Sequence, residues 1–261
     1  MKKHFTKRNM TIFSLGIIFT LAIGVTLYLI ENKGPECNTQ GIKLRGTLAT
    51  YKMADNTEDI TSSEDVLNKI EEASNNKNIK SIIIEVDSSG GSTVSAEEIS
   101  LALQQTSKPV IAYIREIGSS AAYWSILTAD KIFASKNSTI GSIGVTASYL
   151  SNYDKNVKDG LNYERIVSGE FKDIGSPDKN LTTKEKNILQ RDVDIIYNYF
   201  MEQIAEYRHL DIEQVKKFSD GSNVLGDKAL ELGLIDGIGN LSDVESYIYE
   251  STKEWPVVCW E

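Results

Sequence analysis

Ile82-Ile-Ile-Glu-Val86 is a run of β-branched side chains interrupted by one acid, and Pro109-Val-Ile-Ala-Tyr-Ile114 has much the same character. A strand with one wet face alternates apolar and polar residues; these runs do not alternate, so they demand burial on both faces, as in the centre of a parallel sheet. Between them, after a Ser88 to Ser92 turn, Ser95-Ala-Glu-Glu98 has capping-box spacing and opens a helix through Gln105. Ser120 to Leu127 reads as a buried helix and Lys131 to Ala134 as the next short strand. Strand, helix, strand, helix, strand with short connections predicts parallel pairing and right-handed crossovers, an α/β fold.

The flanks fit that frame. Gly41 to Ala49 begins by alternating, and Ser62/Ser63 to Asn75 has helical periodicity through Val66, Leu67 and Ile70. Beyond Pro177, Thr182-Thr-Lys-Glu185 caps a long helix whose apolar stripe is Leu189, Val193, Ile196, Phe200 and Ile204, a stripe suited to core packing or a subunit interface. A helix from Ile212 to Phe218 and a compact Val224 to Ile238 segment follow. With 261 residues, 41% of them apolar, the chain has the material for one sizeable core.

The N-terminus has a different composition. Lys2, Lys3, Lys7 and Arg8 precede Thr11 to Ile30, a stretch without a formal charge that is long enough to cross a bilayer. A cleaved signal peptide ending near Ala22-Ile-Gly24 is the competing reading, but the apolar stretch continues past that site to Ile30. The expected organisation is a cytoplasmic stub (1–10), a single-pass transmembrane anchor (11–30), a linker (31–40), an extracytoplasmic domain (41–250) and a tail (251–261), oriented by the positive flank. Without the stub's four cations, the formal net charge of −9 becomes about −13, which argues against nucleic-acid partners. Cys37 and Cys259 both fall on the exported side and can form one disulfide, though one pair is no framework. Neither has a histidine near it, which argues against thiol catalysis and a zinc site.

Reactive groups on an open parallel sheet gather beyond the carboxyl ends of its strands. Asp87-Ser-Ser-Gly-Gly-Ser and Ser120 both fall there. A serine hydroxyl needs a base, and the chain has only His4, in the stub, and His209, at a helix end where a surface histidine is ordinary. Lysine is therefore the better partner for Ser120. For Lys172 to act, it must shed its proton, and a dry surrounding favours the neutral amine; Phe171, Ile174, Ala121 and Ala122 are candidates for that wall. Ser142 can orient the amine without adding countercharge. Acyl transfer also needs N–H groups aimed at an oxyanion: Gly90 or Gly91 supplies one and Ala121 the other. A plain tight turn is the simpler reading of Gly90-Gly91, and no P-loop lysine follows it.

In register with these residues, the chain also contains Lys108-Pro-Val, Ser120-Ala-Ala-Tyr-Trp, Ala129-Asp-Lys-Ile, Gly141-Ser-Ile-Gly-Val, Ser168-Gly-Glu-Phe-Lys-Asp-Ile and Leu232-Gly-Leu-Ile-Asp-Gly-Ile-Gly. Together they resemble the bacterial signal peptide peptidase family, Ser/Lys peptidases of the Clp-protease and crotonase fold, from about Gly41 to Asp243. The resemblance implies repeated β-β-α and βαβ units with a helical C-terminal part. It makes Ser120 the nucleophile, Lys172 the general base and Ser142 its hydrogen-bond partner, with the Gly90-Gly91 turn and the Ala121 amide as oxyanion hole. It further implies no cofactor or metal, and a ring-like homo-oligomer in which neighbours complete each other's sites. The implied setting is the outer face of the cytoplasmic membrane, with remnant signal peptides or other unfolded polypeptide as substrate, bound as an added strand. Two departures stand out: Ser89 where the family usually has proline, and Ala121-Ala122 where it has glycines. Ser119 is a rival nucleophile. The alternative function is a catalytically silent scaffold or peptide binder of the same fold; an acyl-thioester enzyme is disfavoured by the exported location.

Overall fold

The computed structural model describes residues 37–52 and 59–260. The expected stub and anchor lie outside them, and no helix among the described residues is long and apolar enough to cross a membrane.

In chain order the elements are β1 (Thr39–Ala49), β2 (Ile60–Ser62), α1 (Ser63–Asn75), β3 (Ser81–Gly91), α2 (Thr93–Gln105), β4 (Val110–Ser119) and α3 (Ala121–Trp124). Then come β5 (Lys131–Ala134), β6 (Thr139–Gly141), α4 (Tyr153–Lys158), α5 (Thr183–Tyr207), α6 (Ile212–Phe218), β7 (Asn223–Leu225), α7 (Gly226–Glu231), β8 (Gly237–Ile238), α8 (Leu241–Thr252) and β9 (Val258–Trp260). The central strand order is β2-β1-β3-β4-β5-β8; β6 joins the far end of β4, and β9 joins the start of β1. Every pairing is parallel except β6 with β7.

The isoleucine run is buried on both faces, as its composition requires. Ile82, Ile84 and Val86 belong to the main core with α1, α2, α3 and the end of α5, whereas Ile83 points the other way, to Ile111, Val244 and Ile248. Helix α8 thus covers the second face of the sheet. Six consecutive residues of β3, Ser81 to Val86, are buried, which removes the polar face that a half-exposed strand would show.

Several boundaries differ from the sequence reading. The expected Ser88 to Ser92 turn is not a turn: β3 continues extended through Gly91, because Gly90 and Gly91 adopt φ of 111° and 152° and let the strand bend without breaking. The N-cap of α2 is Ser92, whose Oγ accepts from the Ser95 N–H at 3.3 Å, while Ser95 Oγ donates to Ala49 O at 3.0 Å. A serine that fastens the helix to β1 cannot also cap it. The helix expected from Ser120 to Leu127 is a single turn. The sheet also takes Thr39 and Gln40 from the expected linker and Val258 to Trp260 from the expected tail, joined by a Cys37–Cys259 disulfide.

Candidate active site

β4 and β6 pair in parallel with Ser119 opposite Gly141, so the next residue of each strand, Ser120 and Ser142, leaves the sheet beside the other. The Ser120 N–H donates to Gly141 O at 2.7 Å, and the Ser142 N–H donates to Ser222 O at 2.9 Å. Both serines have positive φ, 54° and 47°. Side chains rarely adopt that region, and the two other described non-glycine residues that do, His209 and Lys253, sit just after helices, where it is ordinary. Two serines with strained backbones thus stand at adjoining carboxyl ends of parallel strands, where such a sheet gathers its reactive groups.

Ser120 occupies the N-cap position of α3 without a capping bond from its side chain, which leaves its hydroxyl available. Ser119 is used differently: it is buried, and its Oγ donates to Asn223 Oδ1 at 2.7 Å. The short helix behind Ser120 is anchored on all sides. Ala121, Ala122, Tyr123 and Trp124 are buried, the Tyr123 hydroxyl donates to Leu234 O at 2.6 Å, and Trp124 stacks on Phe200 with ring centroids 4.7 Å apart. Burial pushes the Tyr123 phenol's pKa far above its ordinary value, so it stays a neutral donor. Both alanine methyls belong to the core and neither lines the cavity in front of Ser120.

Gly90 approaches this turn closely. A Cβ there would stand 3.0 Å from the Ala121 nitrogen, Ser119 O and Ser120 Cβ, so a side chain would crowd the candidate nucleophile. The Gly90 N–H donates to Ser88 Oγ at 3.1 Å, and Ser88 in turn donates to Gly46 O at 2.6 Å. At Gly91, an added Cβ would meet Leu48 O at 2.2 Å, which fixes that residue as glycine.

In front of Ser120 and Ser142 lies an open cavity of about 540 Å³. Its apolar lining comes from Ile143, Val145 and Val193, with Tyr197 beside them and two carboxylates, Asp194 and Asp220. The Tyr197 hydroxyl donates to Ser219 O, and the Gly221 N–H donates to Ile143 O at 3.1 Å, which pins the 219–222 loop against the strand end. The contribution of α5 was not legible in the sequence. Of the expected apolar stripe, only Phe200 and Ile204 are buried; Leu189, Val193 and Ile196 are half-exposed, and Val193 faces the cavity. Periodicity identifies an apolar face but not what it covers.

Lys172 is not part of this cavity within one chain. It lies exposed in the turns at 168–175, inside a segment (146–181) that carries little regular structure beyond α4. Phe171 and Ile174, expected to form a dry wall, are half-buried but also outside the cavity. The lysine held firmly in this region is Lys179, paired with Glu185 and, at 3.4 Å, with Asp173. Asp173 also receives Arg165 at 2.9 Å, which holds its carboxyl well below the usual carboxylate range. The fold therefore brings Ser120, Ser142, Gly90 and Ala121 together and leaves Lys172 apart. His209 is exposed, no histidine lines the cavity, and among the described residues no three His, Cys, Asp or Glu side chains are grouped to hold a metal.

The chain is similar to a solved structure of a mutant of the "1510-N membrane-bound stomatin-specific protease", with a TM-score of 0.54 and 15% identity over 87% of this chain and 99% of that one; this likeness supports the fold alone. Among curated proteins, it is 34% identical over 68% of its length to "Putative protease MJ0651" of Methanocaldococcus jannaschii and 30% identical over 73% to "Putative signal peptide peptidase SppA" of Enterococcus faecium. It is 27% identical over 83% of its length to "Protease 4" of Haemophilus influenzae. The alignments span 58%, 56% and 34% of those relatives' own lengths. The model of Peptidase family S49 matches residues 102–253, from the last turn of α2 to just past α8 and with the Ser120 turn inside it, and the chain belongs to that family.

Proposed function

We propose that the protein is a serine endopeptidase in which Ser120 attacks the peptide carbonyl and Lys172, supplied by a neighbouring copy of the chain, takes the hydroxyl proton. The observation that carries this reading is the strained Ser120 backbone at the β4–α3 junction, with an uncommitted hydroxyl facing a cavity. The neutral Lys172 amine accepts the Oγ proton as the Oγ–C bond forms and passes it to the peptide nitrogen as the C–N bond breaks; the same amine then takes a proton from the water that hydrolyses the acyl-enzyme and returns it to Ser120 Oγ. Ser142, next to Ser120 across the β4–β6 pair, is suited to orient the amine.

The oxyanion donors best supported are the N–H groups of Ala121 and Gly91. The Gly90 N–H is committed to Ser88, and the ladder to β1 passes Gly91 by, since the Ser92 N–H donates to Leu48 O at 2.8 Å. Successive N–H groups of an extended chain point to opposite sides, which turns the Gly91 amide towards the Ser120 side of the strand.

An oligomer is supported by the 146–181 segment, where Leu150 and Ile166 are 83% and 94% exposed and Lys172, in the same segment, is exposed as well. Apolar side chains held in water need a covering surface, and a second copy would carry the amine to the cavity with it. An anchor at residues 11–30 would set the domain at the outer membrane face, acting on remnant signal peptides or other unfolded polypeptide. A silent scaffold is the competing reading, favoured by the absence of Lys172 from the lining of its own chain's cavity. A serine-directed fluorophosphonate separates the two: the native chain labels, and both Ser120→Ala and Lys172→Ala fail to. Label retained in both variants excludes the dyad, and an unlabelled native protein supports the scaffold.

A further inference from the structure

The cavity in front of Ser120 has two kinds of wall. Ile143, Val145 and Val193 offer an apolar path, and among the described residues that line the cavity Asp194 and Asp220 are the only charged ones. The two acids come from separate elements, one from α5 and one from the loop before β7, so their sharing of one cavity is a product of the tertiary fold. Asp194 accepts from Gln190 Nε2 at 2.7 Å, and Asp220 accepts from the Ser222 N–H at 2.9 Å and the Ser222 hydroxyl at 2.6 Å. Those donors fix the carboxylates but do not neutralise them. Neither acid forms an ion pair with another described residue. The Ser222 bonds also keep the Asp220 carboxyl below its ordinary range, so it is charged at neutral pH.

We propose that this cavity is a specificity pocket for lysine and arginine side chains of the substrate, with Asp194 and Asp220 as the residues that select them. A long basic side chain has the matching form, an apolar stem with a cationic head, and its stem packs on Ile143 and Val193 while the head reaches the carboxylates. A leucine leaves both acids unanswered, and a glutamate is repelled. The proposal rests on Ser120 being the nucleophile and names the substrate feature that the same site takes.

The test uses fluorogenic peptides that differ at one position, carrying Lys, Arg, norleucine or Glu, with the full chain. Two exposed, solvent-screened carboxylates predict kcat/KM for Lys and Arg about fivefold above norleucine, carried mainly by KM. Asp194→Asn with Asp220→Asn should collapse the Lys to norleucine ratio to about one, and added salt should shrink it in the native chain. Equal use of Lys and norleucine, or a basic preference that survives the double variant, overturns the proposal. Binding of the same peptides to Ser120→Ala, followed by calorimetry, gives the selectivity without turnover. Basic selectivity there, in a native chain that neither cleaves nor labels with fluorophosphonate, retains the pocket and removes the peptidase reading; absent selectivity in a chain that cleaves casein does the reverse.

Discussion

Ser119 and Ser120 are consecutive, yet one is locked and the other is poised: Ser119 Oγ donates to Asn223 Oδ1 at 2.7 Å and ties the end of β4 to β7, whereas Ser120 turns out of the sheet with φ of 54°. Ser119→Ala should therefore cost about 1 kcal/mol of stability, the worth of one side-chain hydrogen bond. It should keep its fluorophosphonate label, which Ser120→Ala loses. Urea melts and labelling gels check the two halves separately; loss of label in a folded Ser119→Ala variant would move the nucleophile by one residue.

The two glycines of β3 should fail in different ways. A methyl at Gly90 would stand 3.0 Å from the Ala121 nitrogen and Ser120 Cβ, close enough to displace the reacting groups. Gly90→Ala should fold and lose on the order of 100-fold in kcat. Gly91→Ala would drive a methyl to 2.2 Å from Leu48 O, and should lose roughly 3 kcal/mol of stability or fail to accumulate. Thermal melts and casein turnover on both variants distinguish these outcomes.

Joining chain positions 222 apart, the Cys37–Cys259 disulfide holds β9 against β1, with the Trp260 ring over Gly41. Reduction, or Cys37→Ser, should lower stability by about 3 kcal/mol. Denaturation midpoints with and without reductant measure it, and an unchanged midpoint would mean that the strand is held without the bond.

Asp236 receives Arg208 at 3.0 Å, Lys131 at 3.2 Å and the Ile132 N–H at 2.8 Å. Burial opposes its charge, but the Arg208 guanidinium and the other donors outweigh it, and the carboxyl titrates below its ordinary value of 3.8. A lowered folded pKa gives stability that is present above the unfolded pKa and lost as pH falls through the folded one. Native and Asp236→Asn proteins should therefore differ by about 2 kcal/mol at pH 6 and converge as pH drops below about 4. Parallel melting curves across that range would refute the assignment.

If a neighbour supplies Lys172, inactive Ser120→Ala and Lys172→Ala chains mixed under exchange conditions should regain activity, because some sites then combine an intact serine with an intact lysine. Absence of recovery in a mixture shown to co-assemble would place both groups on one chain.

The elements written as local pattern are those the sequence made plain. The double-sided burial of β3 is encoded in Ile82 to Val86, the start of α5 in the Thr182–Glu185 capping box, and Ser120 falls at a strand-to-helix junction that neighbouring residues specify. Such signals depend on contacts within a few residues, so they survive being read one window at a time. Long-range pairing leaves no such trace. β9 on β1, the positive φ shared by Ser120 and Ser142 across β4 and β6, and a cavity built jointly by α5 and the 219–222 loop arise only when distant segments pack. Lys172 is not explained at either level: its chain neighbours leave it in solvent, and the fold of one chain leaves it outside the cavity.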